Sequence, residues 1–177
     1  MSDAADWVEA AGTWVASVGT VSAVYLALSQ WRKEKRDGHR EHASHISAWL
    51  DSSREDEEKS YAQITNASKE PVYEVVVFLV YIQGAAPKTG EDWMRLDDTG
   101  YTTSSTFGVL LPGDWLGEVP RPEGGMNTQP GIEIAFTDHN NKHWIRRANG
   151  LLEEIPKSAI NYYNLARPLG YKILAPL

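Results

Sequence analysis

The chain contains no cysteine in its 177 residues. Disulfides, thiolate metal sites and cysteine nucleophiles are therefore excluded. No GxxxxGK[ST], GxGxxG, HExxH or GxSxG run occurs, so the phosphate-cradling, dinucleotide, zinc-protease and α/β-hydrolase signatures are all missing. Cations are in deficit: the formal net charge is −7, and an acidic body argues against nucleic acid as a partner, because phosphate binding needs a basic surface. Internal repeats and low-complexity tracts are absent as well. Charge is missing altogether from residues 10–28, AAGTWVASVGTVSAVYLAL.

That uncharged stretch organises the first expectation. Nineteen residues in a helix cover about 28 Å, close to a hydrocarbon core of roughly 30 Å. Trp7 precedes it and Trp31 follows it, where amphipathic rings favour a headgroup layer. Asp3, Asp6 and Glu9 lie upstream; Arg32, Lys33, Lys35, Arg36 and Arg40 lie downstream. The Lys/Arg excess marks a cytoplasmic flank, so the reading is a single-pass transmembrane helix in the inner or plasma membrane. Its N-terminus is expected outside and the body of the chain in the cytoplasm, with the basic residues on anionic lipid. A cleaved signal peptide needs a basic start, and this start is acidic. A buried helix of a globular protein is the competing reading, since Ala, Gly, Ser and Thr outnumber Leu and Ile. Gly12, Ala16, Thr20, Ala23 and Ala27 fall on one helix face; small residues at that spacing permit close helix packing in lipid, which implies a homo-oligomer or another helical membrane partner.

The rest reads as mainly β. Seven Trp and eight Tyr suit a β-rich, well-packed body. The expected organisation is an acidic N-terminus and span over 1–31, a basic juxtamembrane linker over 32–45, an antiparallel β-sandwich over 46–155, and a C-terminal tail over 156–177 packed on it. Residues 46–50 form a first strand, and residues 51–59 an exposed charged tip. Tyr61 to Thr65 alternate with the half-buried strand period. Residues 72–82, VYEVVVFLVYI, are apolar on both faces, with Val76, Phe78, Val80 and Ile82 on one and Val75, Val77, Leu79 and Tyr81 on the other; this is a central strand between two layers. Residues 91–106 read as a loop with one edge strand. Strands follow at 107–111 and 115–119 around Pro112-Gly113. Ile132, Ile134 and Phe136 point inward with Glu133, Ala135 and Thr137 outward. Residues 138–142, DHNNK, form a tight connection in which Asn supplies positive φ, and Trp144 and Ile145 lead the return. Residues 158–166 suggest a short helix ended by Pro168, and 171–174 an edge strand or a packed segment.

Few groups carry candidate chemistry. His39, His42 and His45 recur every three residues; the sharp reading is a metal site, but that spacing drifts around a helix, and a solvated, titrating surface is the default. Asp138, His139 and His143 with Asn140 and Asn141 suggest a calcium or zinc loop, short of carboxylates for the first and of a third ligand for the second. Glu91-Asp92 and Asp97-Asp98 are acid pairs without a neighbouring nucleophile. Arg146-Arg147 reads as edge protection. Asn66-Ala67-Ser68 matches a glycan acceptor in form only. No catalytic residue, cofactor site or metal site is assigned, and no small-molecule ligand is identified.

The order of a small-residue span, a basic flank, NxSxxPVYxV over 66–75, Leu-Pro-Gly over 111–113 and FTDxNNxxWxR over 136–146 resembles uncharacterised actinobacterial single-pass membrane proteins. That resemblance implies an immunoglobulin-like sandwich lacking the usual cysteine pair, and it implies no activity. The expectation is a non-enzymatic, membrane-anchored protein-interaction module. The alternative is an oligomerising membrane effector, pore-forming or signalling, as in phage defence or a prophage.

Overall fold

The computed structural model describes residues 24–31, 38, 40–54, 59–84, 86–96, 103–120 and 127–177. The chain divides into two compact units, Met1–Arg40 and Glu41–Leu177.

In the first unit, residues 24–31 are helical with their side chains exposed, Tyr25, Leu26 and Trp31 among them. Among the described residues no helix is long and apolar enough to cross a membrane. This corrects the expected transmembrane helix. The physical reason lies in composition. A stretch without charge is not an apolar stretch, and Ala, Gly, Ser and Thr contribute little of the transfer free energy that Leu, Ile and Phe supply. Of the proposed packing face, Ala27 is an exposed helical residue, while Gly12, Ala16, Thr20 and Ala23 lie outside the described residues. Of the basic flank, Arg40 is helical and exposed; Arg32, Lys33, Lys35 and Arg36 lie outside the described residues, as does His39.

The second unit is two antiparallel sheets. Strands β1 (Ile46–Asp51), β2 (Ser60–Asn66), β5 (Gly113–Val119) and β9 (Ala175–Pro176) form one sheet in the order β1-β2-β5-β9. Strands β3 (Val72–Gln83), β4 (Ser104–Leu110), β6 (Gln129–Thr137), β7 (His143–Arg146) and β8 (Leu152–Ile155) form the other in the order β4-β3-β6-β7-β8. Two short helices accompany them, α1 (Gly90–Leu96) and α2 (Ala159–Tyr162).

Period-2 patterning builds both layers. In β2 every second side chain is buried, so Ala62 and Ile64 meet Val75, Val77, Leu79, Phe107, Ile132, Ile134, Phe136 and Trp144 in one core between the sheets. Val76, Phe78 and Val80, on the opposite face of β3, join Ala135, Ile145, Ile160 and Tyr163 in a second core. Strand β3 is therefore buried on both sides, which is why it reads as continuous apolar sequence. Ile82, at its end, is exposed. The second core corrects three outward assignments: Glu133, Ala135 and Thr137 do face away from the inter-sheet core, yet all three are buried. The region of 91–106 is also corrected. It begins as α1, where Thr89 Oγ1 accepts the Asp92 N–H, Asp92 accepts the Lys88 N–H, and Trp93 Nε1 donates to Leu79 O at 2.6 Å.

Two turns explain the sequence motifs. Asn66 is buried, its Nδ2 donates to Glu70 O and Leu110 O at 2.9 and 3.2 Å, and its Oδ1 accepts from the Ser68 N–H and hydroxyl. The nitrogen that would carry a glycan is thus spent inside the fold. At the β6–β7 connection, Asp138 Oδ1 accepts the Asn140 and Lys142 N–H groups and Oδ2 accepts Trp144 Nε1–H at 2.9 Å, while Asn141 takes φ 59°. FTDxNNxxW is the signature of a self-capped hairpin.

Candidate functional site

Polar side chains cluster in two places on the second unit, and apolar ones are exposed in a third. The first polar cluster is a charge network beneath α1 and α2. Glu133 is fully buried on β6, and Arg147, just beyond β7, is 17% exposed. Arg147 contacts Glu91 through both terminal nitrogens at 2.7 and 3.0 Å, Glu133 at 3.0 Å, and Glu153 through Nε at 2.9 Å. Glu133 Oε1 also accepts the Gly90 N–H and the Tyr163 hydroxyl, each at 2.8 Å, and Glu91 accepts the Tyr162 hydroxyl. Burial pushes the Glu133 carboxyl up, against the pull of Arg147 and Tyr163. Partial burial also acts to raise Glu91, but the hydrogen bonds from Arg147 and Tyr162 prevail and bring it down to about 2. Burial raises the Tyr163 phenol well above its usual value, and the Glu133 charge adds to the shift. Every acid here is spent on the guanidinium or on a phenol or amide donor, so the network ties helices to sheet. Arg146 does likewise on the other side: it donates to the Ala43, Ser44, Ile46 and Gly150 carbonyls, pinning the segment that leads into β1. Neither arginine acts as a free edge charge.

The second cluster lines a cavity of about 660 Å³ at the start of β3. Tyr73 and Glu74 come from β3, Thr137, Asp138, His139, Asn141 and His143 from the β6–β7 hairpin, and Lys157, Ser158 and Asn161 from the β8–α2 connection and α2. The β3–β6 register slips between Tyr73 and Val76, the mark of a β-bulge. Within it Glu74 has φ 50°. The other non-glycine residues at positive φ among those described are all asparagines, the residue type that tolerates this region. A glutamate there stores strain on the order of 1–3 kcal/mol, and bulges commonly re-aim a side chain beside a functional site. In sequence 72–82 reads as one regular strand; the single charge near the start of an otherwise apolar run, Glu74, is the signal of the bulge.

Several groups in this cavity are already engaged. Asp138 is saturated by its hairpin, and among the described residues no group of three or more His, Asp or Glu is placed to hold a metal. His139 packs on His42, ring centroids 4.6 Å apart, and contacts Asn140. His45 is exposed. Thr137 Oγ1 lies 2.9 Å from His143 Nδ1, the spacing of a nucleophile and its base. Yet the two residues are register partners across β6 and β7, Thr137 is buried, and among the described residues no carboxylate is hydrogen-bonded to the imidazole. The contact is a cross-strand bond without the orienting third group of a catalytic triad.

The third feature is apolar. Val109, Leu111, Tyr171, Ile173 and Leu177 are exposed, Ile173 at 91%. They flank a groove of about 280 Å³ lined by Phe107, Gly108, Val109, Leu111, Trp115, Lys172 and Leu174. Here the C-terminal segment crosses from one sheet to the other. Thr106 bridges Tyr171 in parallel, Lys172 N–H donates to Thr106 O, β9 pairs with β5, and Leu177 N–H donates to Asp114 O.

Comparison with protein-family models, with curated proteins and with solved structures finds no match.

Proposed function

We propose that the second unit is a non-catalytic protein-interaction module, and that the β4 edge with its apolar margin receives an extended apolar segment of a partner protein. The observation that carries this reading is the edge itself. Strand β4 ends the five-stranded sheet, and beyond the single Thr106–Tyr171 bridge no strand pairs with its outer side among the described residues. Exposed Val109 and Leu111 continue that line. An edge with unpaired backbone groups beside apolar side chains is the geometry of strand addition, and the chain's own C-terminal segment already uses the first position in this way. The strand order β1-β2-β5 against β4-β3-β6-β7 supports an immunoglobulin-type sandwich, a scaffold for recognition at edges and loops, here held without cysteines and extended by β8 and β9.

The test is comparative capture followed by direct binding. The wild-type chain and a Val109→Lys, Leu111→Asp variant are each used as bait, and any protein held by the first alone is purified and titrated against both. The reading expects a partner whose affinity falls at least about tenfold in the variant, since charge on an apolar contact must be desolvated. Equal binding by the two baits, or self-association through the same edge in sedimentation, refutes it.

A further inference from the structure

We propose that the cavity over the β3 bulge binds a neutral polyhydroxylated ligand, a sugar residue, held by Glu74, Lys157, Asn141 and His143 with the Tyr73 ring as its apolar wall. The inference is independent of the β4 edge and rests on the groups the fold leaves unused. Asp138 and Thr137 are satisfied within the β6–β7 hairpin. Glu74 and Lys157 both line the cavity, and neither forms an ion pair or hydrogen bond with any described residue. One carboxylate and one ammonium share a wall without neutralising each other.

That pairing selects among ligand classes. An anion would gain Lys157 and meet Glu74; a cation would gain Glu74 and meet Lys157. A divalent metal lacks its ligand set among the described residues. A hydroxyl both donates and accepts, so neighbouring hydroxyls on one ring satisfy the carboxylate, the ammonium and the Asn141 amide together. Nε2 of His143, the nitrogen not facing Thr137, adds one more donor or acceptor. Tyr73 is 41% exposed; its ring offers an apolar face with a polar tip, suited to the C–H face of a pyranose. The cavity volume lies within the roughly 300–1,000 Å³ usual for small-molecule sites. The strained φ of Glu74 fixes its carboxylate at the rim before any ligand arrives, which lowers the ordering cost of binding.

The full-length chain is screened on an array of neutral oligosaccharides, and the strongest binder is titrated by amide-detected NMR. Inorganic phosphate and free glycine serve as the anion and zwitterion arms. Perturbed amides at Glu74, Asn141 and Lys157, with affinity lost at least about tenfold in Glu74→Gln and in Tyr73→Ala, would support the assignment; each variant is first shown to keep the near-ultraviolet signature of buried Trp144. Leu111→Asp, on the apolar margin, should leave sugar affinity unchanged. The proposal falls if no neutral sugar moves those amides, if phosphate or glycine moves them instead, or if folded Glu74→Gln binds as the wild type does.

Discussion

Replacing Arg147 by methionine would show whether the network under α1 and α2 holds the fold as a buried ion cluster. Methionine keeps the unbranched stem and removes the guanidinium. Glu133 is fully buried and would retain the Tyr163 hydroxyl and the Gly90 N–H but lose its cation. Removing one partner of a buried ion pair costs about 3–5 kcal/mol, because the other charge is left unpaired. Glu91 and Glu153 are 28% and 41% exposed and add at most about 1 kcal/mol each. The expected loss near pH 7 is thus about 3–7 kcal/mol, most of it from Glu133. The pH dependence fixes the mechanism. Burial already raises the folded-state pKa of Glu133 above its unfolded value, and losing Arg147 raises it further. A raised carboxyl stabilises the fold most fully below the unfolded pKa, and that contribution fades as pH climbs through the folded pKa. The variant should therefore recover stability as pH falls from 7 towards 5. Glu91 moves the opposite way: its pKa of about 2 gives the wild type a contribution lost only as pH drops from about 4.5 towards 2. Urea unfolding at pH 7, 5 and 3, followed by tryptophan fluorescence, measures both. The double variant Arg147→Met, Glu133→Gln should recover much of the loss, since it leaves no buried charge. A single-variant loss under about 1 kcal/mol, equal at pH 7 and pH 5, would mean that Glu133 is solvated and the argument is wrong.

Gly90→Ala should destabilise by about 1–3 kcal/mol in the same unfolding assay, because its Cβ would stand 2.7 Å from Tyr163 Cε1 and 2.8 Å from both Glu133 Oε1 and Phe78 Cδ2. Trp144→Phe keeps an aromatic ring but leaves part of the indole's volume empty and strips Asp138 Oδ2 of its indole donor; a loss of about 2–4 kcal/mol is expected, and a neutral outcome would show that water replaces the indole. Asn66→Ala removes a side chain that serves the β2–β3 turn through Ser68 and Glu70 and reaches Leu110 O on β4. About 2–3 kcal/mol should be lost, with amide exchange quickening at Ser68.

The sequence made the sheet layers legible where periodicity and burial agree. Residues 72–82 announced a doubly covered strand because both of its faces must be apolar, and Ile132, Ile134 and Phe136 announced their side by alternation. Glu133 defeated the same logic. Alternation says which side a residue faces; it cannot say that a distant Arg147, Gly90 and Tyr163 will roof that side. Helix α1 went unread although Thr89 and Asp92 stand three apart, the spacing of a reciprocal cap, because its seven residues are too few for a 3.6-residue period to emerge from a polar, aromatic mixture. The uncharged segment of 10–28 misleads for a different reason: its flanks and length match a span, while its Ala, Gly, Ser and Thr supply little hydrocarbon.

The position of the polar cavity follows from where the covering of β3 stops. From Val75 to Tyr81 the strand is buried on both faces, and such a strand can present nothing to a ligand. Recognition is confined to its ends. At the leading end the β6 register slips by one residue while the β4 register does not: Tyr73 opposes Val109 and Val75 opposes Phe107 without interruption. The inserted residue therefore belongs to the β6 side, where the Thr137–His143 hairpin and the Lys157–Asn161 segment meet. A regular strand would have turned residue 74 to the face of Val72, into the inter-sheet core, where an ionised carboxylate has no partner. The bulge moves it to the cavity rim, at the cost of a strained φ, and leaves Val75 and Val76 in register for their two separate cores. Deleting Glu74 removes the extra residue: Val72 and Val75, which share the inter-sheet core, then stand two apart, so the later side chains of β3 keep their faces while the β3–β4 register slips by one. The deletion is expected to leave the chain folded but less stable, while Glu74→Gly keeps the bulge and relieves its strain. Thermal unfolding of the two variants measures both effects, and a deletion variant that fails to fold would show that the extra residue is needed to keep the two cores in phase.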